Sequence, residues 1–350
     1  MTAKDNIAGK SILMIGDPFY GYCRLIRKQL LRLGAESVLY IEAPFYRGSL
    51  RDSISIRNIL SWLMNPWKRT QWTKELIDKI GDRQFDTFFV IENMPFKKTF
   101  MDYLRTKNPN IRMILFLWDT HKTQQSRYID YLEKFDTVYS FDRDDANNYK
   151  LNYYPDFYIE NEQVPIEDCT YDIAFVGAMN RKETFYRADA LFKIYSFCEM
   201  NHLSYFLYLR HDKFPNSRSW LKGLFYMINN RRYNKKVNEL RHYGFMHDTP
   251  LSVEESNKIM ANSRVILDLS YPDRQGMTLN AIMALASGKK LITTNKRIME
   301  ESFYNPQMIC VIDAEDPSFD MEFCNYPSIL IDVSYLRLDK WVQHVVNELV

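Results

Sequence analysis

The fold is decided by the stretch Val265-Ile-Leu-Asp-Leu-Ser-Tyr-Pro-Asp-Arg-Gln-Gly-Met-Thr-Leu-Asn-Ala-Ile-Met-Ala-Leu-Ala-Ser-Gly-Lys-Lys-Leu-Ile-Thr-Thr-Asn295. It predicts a buried strand, a loop carrying Gly276, a helix over 278–287 that ends at Gly288, and a second buried strand. A loop of this kind exposes backbone N–H groups at the start of the helix, where the helix dipole favours an anion. The stretch therefore predicts a binding site for a phosphorylated ligand in an α/β domain.

Apolar runs typical of buried parallel strands recur along the rest of the chain and alternate with helical patterns. They fall at 11–15, 38–41, 87–91, 113–118 and 137–140, and again at 173–177, 204–209 and 308–312. The alternation weakens between Tyr153 and Asp172, where prolines and acidic residues interrupt it. We expect two Rossmann-like doubly wound α/β domains, 1–160 and 165–333, facing a cleft, with a C-terminal helix over 334–350 that crosses back to the first domain.

Composition restricts the class of protein. The chain of 350 residues has a formal net charge of +2, which gives no general reason to expect nucleic acid as a partner. Its five cysteines form no CxxC pair and have no metal-ligand spacing, which indicates reduced thiols. The polar N-terminus does not read as a signal peptide, and no apolar run has the length of a membrane span. These features predict a cytoplasmic protein, soluble or peripherally bound.

The pattern Gln275-Gly-Met-Thr-x4-Met-Ala-Leu-x2-Gly-Lys-Lys-Leu-Ile292 resembles the donor loop and helix of glycosyltransferases with the GT-B fold. It is most similar to the retaining, family 4-like enzymes of bacterial capsule and lipopolysaccharide biosynthesis. The resemblance covers most of 172–314, because Gly177 follows a strand there and His242-Tyr-Gly244 precedes another strand, loop and helix. It implies a nucleotide-sugar as co-substrate, with no other cofactor.

The resemblance also implies which residues bind the donor. Arg181 and Lys182 follow Gly177 and would face the diphosphate; the alternative is a solvated helix start. The remaining donor-binding candidates are Gln275, Gly276, Met277, Thr278 and Asn280. Retaining relatives carry two glutamates seven residues apart, and here those positions hold Gln275 and Met283. Because a thioether cannot replace a carboxylate on ribose hydroxyls, we expect Asn280, one turn before Met283, to take that role, with Thr278 capping the helix.

In the first half, Asp119 and His121 come directly after an apolar strand. At the carboxyl end of a strand either side chain could accept the proton of an acceptor hydroxyl, so both are candidate catalytic residues. The alternative is a helix N-cap at Asp119 or Thr120 and a surface histidine.

The sequence Phe141-Asp-Arg-Asp-Asp145 contains an Asp-x-Asp, a pattern that can hold a divalent metal. Acidic residues are equally typical of a helix N-terminus, and an apparent helix follows at 146–151. The helix start is the favoured interpretation, and we predict a metal-independent enzyme.

Two stretches, 46–74 and 210–241, combine basic residues with tryptophans or other aromatics. Such segments can rest on an anionic membrane surface, which would suit a lipid-linked saccharide acceptor; solvated amphipathic helices are the alternative.

Taken together, these patterns predict a glycosyltransferase of surface-polysaccharide biosynthesis. Two alternatives remain open. One is a non-catalytic relative that binds sugar nucleotides or saccharides, and the other is a Rossmann-type enzyme that modifies sugar nucleotides. The second would usually carry G-x-G-x-x-G after its first strand, and neither half does.

Overall fold

The computed structural model describes residues 7–18, 21–44, 65–92, 94–120, 129–160, 163–179, 186–211, 231–271 and 275–347. The chain divides into two compact units. Unit 1 comprises Met1–Pro155 and Leu338–Val350, and unit 2 comprises Asp156–Arg337. The change of unit at Pro155 lies in the stretch where the sequence loses its alternating pattern.

Unit 1 is built on a parallel sheet whose described strands run in the order β2-β1-β3-β4-β5-β6. The strands are β1 (Ser11–Gly16), β2 (Ser37–Glu42), β3 (Thr87–Ile91), β4 (Arg112–Leu117), β5 (Thr137–Ser140) and β6 (Asn152–Tyr153). The central strands β3 and β4 are apolar apart from Thr87 and Arg112 at their first positions, and all their residues except Arg112 are buried because helices cover the sheet.

The helices of unit 1 are α1 (Tyr22–Arg32), α2 (Asn65–Ile80), α3 (Lys98–Lys107), α4 (Ile129–Leu132), α5 (Arg143–Tyr149) and, from the end of the chain, α11 (Leu338–Val346). Helix α1 shows the expected period, since its buried residues Cys23, Ile26 and Leu30 lie on one face. It ends at Arg32, and Gly34, two residues further on, has a φ of 93° in the left-handed region that favours glycine.

Helix α11 completes the core of unit 1. Trp341 is fully buried, with its ring 4.6 Å from that of Phe116 and its Nε1 donating to the carbonyl oxygen of Pro155 at 2.9 Å. Arg112 of β4 donates to the carbonyl oxygen of Val346 at 2.7 Å. The sequence predicts a helix from residue 334, whereas Ser334–Leu336 forms a 3-10 turn and the α-helix begins at Leu338.

Unit 2 repeats the architecture with the order β12-β11-β10-β7-β8-β9, also parallel. Its strands are β7 (Tyr171–Met179), β8 (Tyr205–His211), β9 (Met246–His247), β10 (Ser263–Asp268), β11 (Lys290–Thr293) and β12 (Ile309–Val311). Its helices are α6 (Tyr186–Met200), α7 (Arg231–His242), α8 (Val253–Ala261), α9 (Leu279–Ala286) and α10 (Met321–Asn325). The prediction of two Rossmann-like doubly wound α/β domains is confirmed.

The described residues of the segment 265–295 fold as predicted. They form β10, α9 and β11, and Gly288 follows the helix at a φ of 65°. Within the described residues no helix is both long and apolar enough to cross a membrane.

Candidate functional site

The two central strands of unit 2 separate at their carboxyl ends. Pairing of β7 with β10 extends to Ala174, whereas pairing of β7 with β8 continues to Met179. The winding of the sheet also reverses between β7 and β10. In doubly wound sheets the crevice at such a reversal is where ligands bind, so this edge is the candidate functional site.

Asn280 connects the two sides of this crevice. Its Nδ2 donates to the carbonyl oxygen of Val176 at 3.3 Å, which places the first turn of α9 beside the end of β7. The structure therefore brings together Asn280 and Gly177, two residues that the sequence singles out 103 positions apart. Met283, one turn further along α9, is half-buried rather than part of the core.

Asp268, the last residue of β10, organises the start of α9. Its buried carboxylate accepts hydrogen bonds from the hydroxyl groups of Thr278 at 2.9 Å, Ser270 at 2.6 Å and Thr293 at 2.8 Å. Thr278 in turn accepts the N–H of Ala281 at 3.1 Å, which confirms it as the N-cap. The amino end of α9 is thus fixed by a fully engaged polar network.

The loop before α9 is held by Asn295. Its Nδ2 donates to the carbonyl oxygens of Gln275 and Gly276, at 3.1 and 3.2 Å. Met277 is only 2% exposed, so its side chain belongs to the core and only its backbone could reach a ligand.

Gly177 has a packing reason to be glycine. A Cβ atom there would lie 2.4 Å from Cζ of Phe175, well inside van der Waals contact. The ring of Phe175 fills the space that a side chain at position 177 would need.

Arg187, near the start of α6, is a site residue that the sequence analysis missed. The side chain is buried, its Nη1 donates to the carbonyl oxygen of Ala178 at 2.6 Å, and its guanidinium lies 4.5 Å from the ring centre of Tyr271. Its Nε has no hydrogen-bond partner, and no ion pair to Arg187 occurs among the described residues. A buried cation that has no counterion within the described residues, held at the end of β7, is suited to an anionic ligand.

Tyr186, the neighbour of Arg187, contacts the chain just beyond the end of β10. Its hydroxyl donates to the carbonyl oxygen of Ser270, and burial raises the pKa of that hydroxyl. Arg187 donates to Ala178 and Asn280 of α9 donates to Val176, so both lie beside the end of β7. Tyr186 donates to Ser270, just beyond the end of β10. Arg187 and the amino end of α9 therefore lie at one crevice.

Three residues named from the sequence lie outside the described part of the chain. They are Arg181 and Lys182, within 180–185, and His121, within 121–128.

Asp119 lies at the carboxyl end of β4 in unit 1, where the sequence puts it. Its backbone N–H donates at 2.9 Å to Oε2 of Glu92, a buried residue that the sequence analysis missed. The signal for Glu92 was its position directly after the apolar strand 87–91, the same signal that selected Asp119.

The Asp-x-Asp motif starts a helix, as the sequence predicts. Asp142 is the N-cap of α5 and accepts the N–H groups of Asp144 and Asp145, at 3.0 and 3.1 Å. Within the described ranges, no three His, Cys, Asp or Glu side chains are grouped so as to hold a metal ion.

No family model matches the sequence, and no curated protein matches it. Among solved structures, the chain is similar to the N-terminal domain of trehalose-6-phosphate phosphatase from Candida albicans, with a TM-score of 0.61 and 11% identity over 96% of this chain and 95% of that one. A second similar structure, described as trehalose-6-phosphate from E. coli bound with UDP-2-fluoro glucose, has a TM-score of 0.57 and 11% identity over 95% and 94%.

A third is the UDP-forming alpha,alpha-trehalose-phosphate synthase from Burkholderia xenovorans in complex with glucose-6-phosphate. It has a TM-score of 0.53 and 10% identity over 96% of this chain and 95% of that one. At such low identity these likenesses show the fold, and that fold is GT-B.

Proposed function

We propose that the protein is a glycosyltransferase that moves a sugar from a nucleotide-sugar donor to a hydroxyl group of a saccharide acceptor. The observation that carries this proposal is Arg187, a buried guanidinium with an unpartnered Nε at the crevice where α9 begins. A diphosphate bound there would pair with the cation and with the N–H groups of the first turn of α9, and both stabilise the charge that develops as the diphosphate departs.

The residues predicted from the sequence complete this donor site. In this proposal Gly177 and the loop 275–278 contact the diphosphate, and Arg181 and Lys182, which lie outside the described residues, are expected to add positive charge without a metal. Asn280 offers its Oδ1 to the ribose, because its Nδ2 is already bonded to Val176.

The transfer forms a bond between the acceptor oxygen and the anomeric carbon. The bond between that carbon and the diphosphate breaks, and its electron pair leaves with the nucleoside diphosphate. Asp119 or His121 takes the proton of the acceptor hydroxyl.

We further propose a lipid-linked acceptor in surface-polysaccharide assembly, with the enzyme cytoplasmic and resting on the anionic inner face of the membrane. Helix α7 carries five Lys or Arg in twelve residues, and Trp67 of α2 is 62% exposed beside Lys68 and Arg69. Flotation with anionic and neutral liposomes tests this part, and binding that is absent or insensitive to salt would exclude it.

The main test uses the full chain with UDP-, GDP-, dTDP- and ADP-sugars and a panel of saccharides. We expect one donor to bind in calorimetry and to release its nucleoside diphosphate when a suitable acceptor is present. Asn280→Ala should weaken binding of that donor; unchanged affinity would remove Asn280 from the ribose site.

Two other outcomes correspond to the alternative functions. Binding without release of nucleotide would identify a non-catalytic relative, which the Gln275 and Met283 positions favour. Conversion of the bound sugar nucleotide into an isomer, read by NMR, would identify a sugar-nucleotide-modifying enzyme.

A further inference from the structure

The carboxyl edge of the sheet in unit 1 carries acidic residues at its own reversal of winding. That reversal lies between β1 and β3. Asp17 follows β1, Glu92 follows β3, and Asp119 lies two residues beyond β4. The edge where a doubly wound sheet binds its ligand is therefore lined with carboxyl groups.

Glu92 is held in an unusual state. Its φ is 64°, a left-handed conformation that is strained for a residue with a side chain. Its Oε2 accepts the N–H groups of Trp118 at 2.6 Å and Asp119 at 2.9 Å. The residue is only 7% exposed, yet its Oε1 has no hydrogen-bond partner. Strain together with an unsatisfied buried oxygen is characteristic of ligand sites.

The protonation of Glu92 determines what Oε1 can do. Burial raises the pKa of Glu92 well above its ordinary value, and the carboxylates of Asp119 and Asp17 raise it further. Burial therefore favours the protonated form of Glu92 over the carboxylate. Because Oε2 already accepts two N–H groups, the proton sits on Oε1, which becomes a hydrogen-bond donor.

We infer that Glu92 and Asp119 form a carboxyl pair that binds a hydroxyl group of an uncharged saccharide, and that the acceptor carries no phosphate at this position. Glu92 donates from Oε1 to the hydroxyl oxygen, and the Asp119 carboxylate accepts the hydroxyl proton. Trp118 and Tyr22, whose rings pack edge to face 6.3 Å apart, supply an aromatic surface beside the pair.

Electrostatics support an uncharged ligand. A phosphate monoester would bring nearly two negative charges close to the carboxylates of Asp17 and Asp119. The amino end of α1 lies near the same edge, but its partial positive charge amounts to only about half an elementary charge. Within the described residues of this edge the carboxyl groups outweigh that partial charge, which disfavours a phosphate there.

The inference rests on the proposed function, but its test needs no donor. Binding of methyl glucoside, methyl galactoside, methyl N-acetylglucosaminide and glucose 6-phosphate to the full chain is measured at pH 7 by saturation-transfer NMR. We expect at least one neutral glycoside to bind about tenfold or more tightly than glucose 6-phosphate.

Variants identify the groups involved. Glu92→Gln should retain binding, because the amide keeps an acceptor and a donor in the same places. Glu92→Met and Asp119→Asn should each weaken it about tenfold. Glu133→Gln, an exposed glutamate paired with Lys98, is the matched control. Binding to the unsubstituted chain should also fall as the pH rises through the raised pKa of Glu92, because Glu92 then loses its proton beside Asp17 and Asp119, whereas Glu92→Gln should not show that loss.

The inference is overturned if no neutral glycoside binds more tightly than glucose 6-phosphate, or if Glu92→Met binds like the unsubstituted chain. Its failure is distinct from that of the proposed function. Turnover of a nucleotide-sugar onto a phosphorylated acceptor would overturn the inference alone, whereas neutral saccharide binding without any donor turnover would overturn the function alone.

Discussion

Asp268 and Thr278 are joined by a hydrogen bond of 2.9 Å from the threonine hydroxyl to a carboxylate oxygen. The bond ties the end of β10 to the N-cap of α9, and the same carboxylate accepts two further hydroxyl groups. Asp268→Asn replaces one acceptor oxygen by a donor, so part of this buried network loses its partners. We expect unfolding to become easier by about 2–4 kcal/mol, measured by urea denaturation. Asp316→Asn, at a largely exposed aspartate, is the control. Equal stability of the two variants would show that the hydrogen bonds of Asp268 do not stabilise the fold.

Arg187→Lys tests the proposed diphosphate contact. Lysine keeps the positive charge but loses the planar fork that stacks on Tyr271 and binds Ala178. We expect affinity for the nucleoside diphosphate of the best donor to fall about tenfold in calorimetry. Arg297→Lys, at a surface arginine paired with Glu300, should leave it unchanged. Unchanged affinity in Arg187→Lys would mean that Arg187 contributes only its positive charge, and a similar loss in both variants would mean that the effect is not specific to the diphosphate site.

Glu92→Gln is expected to change how stability depends on pH. The pKa of Glu92 is raised in the folded state, so above about pH 4.3 the unfolded chain releases a proton that the folded chain retains. The unsubstituted chain therefore loses stability relative to Glu92→Gln, by about 1.4 kcal/mol per pH unit, until the folded pKa is reached. Thermal unfolding from pH 4 to 9 should show Tm curves that diverge as pH rises. Parallel curves would show that the folded pKa of Glu92 is ordinary.

Gly177→Ala should destabilise unit 2, since the added methyl group overlaps the ring of Phe175. We expect a loss of about 1–3 kcal/mol, measured by thermal or urea unfolding. Adding Gly177→Ala to the Phe175→Leu variant should cost less stability than adding it to the unsubstituted chain, because the leucine side chain is shorter and leaves the space free. Additive losses would rule out the steric explanation.

The sequence predicted the elements around 265–295 because a continuous apolar run, a threonine cap and a terminal glycine are local signals. The network around Asp268 was not predictable, since its partners Ser270, Thr278 and Thr293 meet only when β10, α9 and β11 are assembled. Arg187 was missed for a related reason. Basic residues directly after a strand suggested 181 and 182, whereas a buried arginine inside a helix pattern is recognised only by its environment.

Trp341 sets an order of events during synthesis. Unit 1 needs this side chain in its core against Phe116, yet the ribosome makes residues 1–155 first, then all of unit 2, and α11 afterwards. The core of unit 1 is therefore incomplete around Phe116 until α11 has been made, whereas the core of unit 2 can form before then. We expect the domain begun first to be finished last, which makes it the one that depends on chaperones until α11 leaves the ribosome.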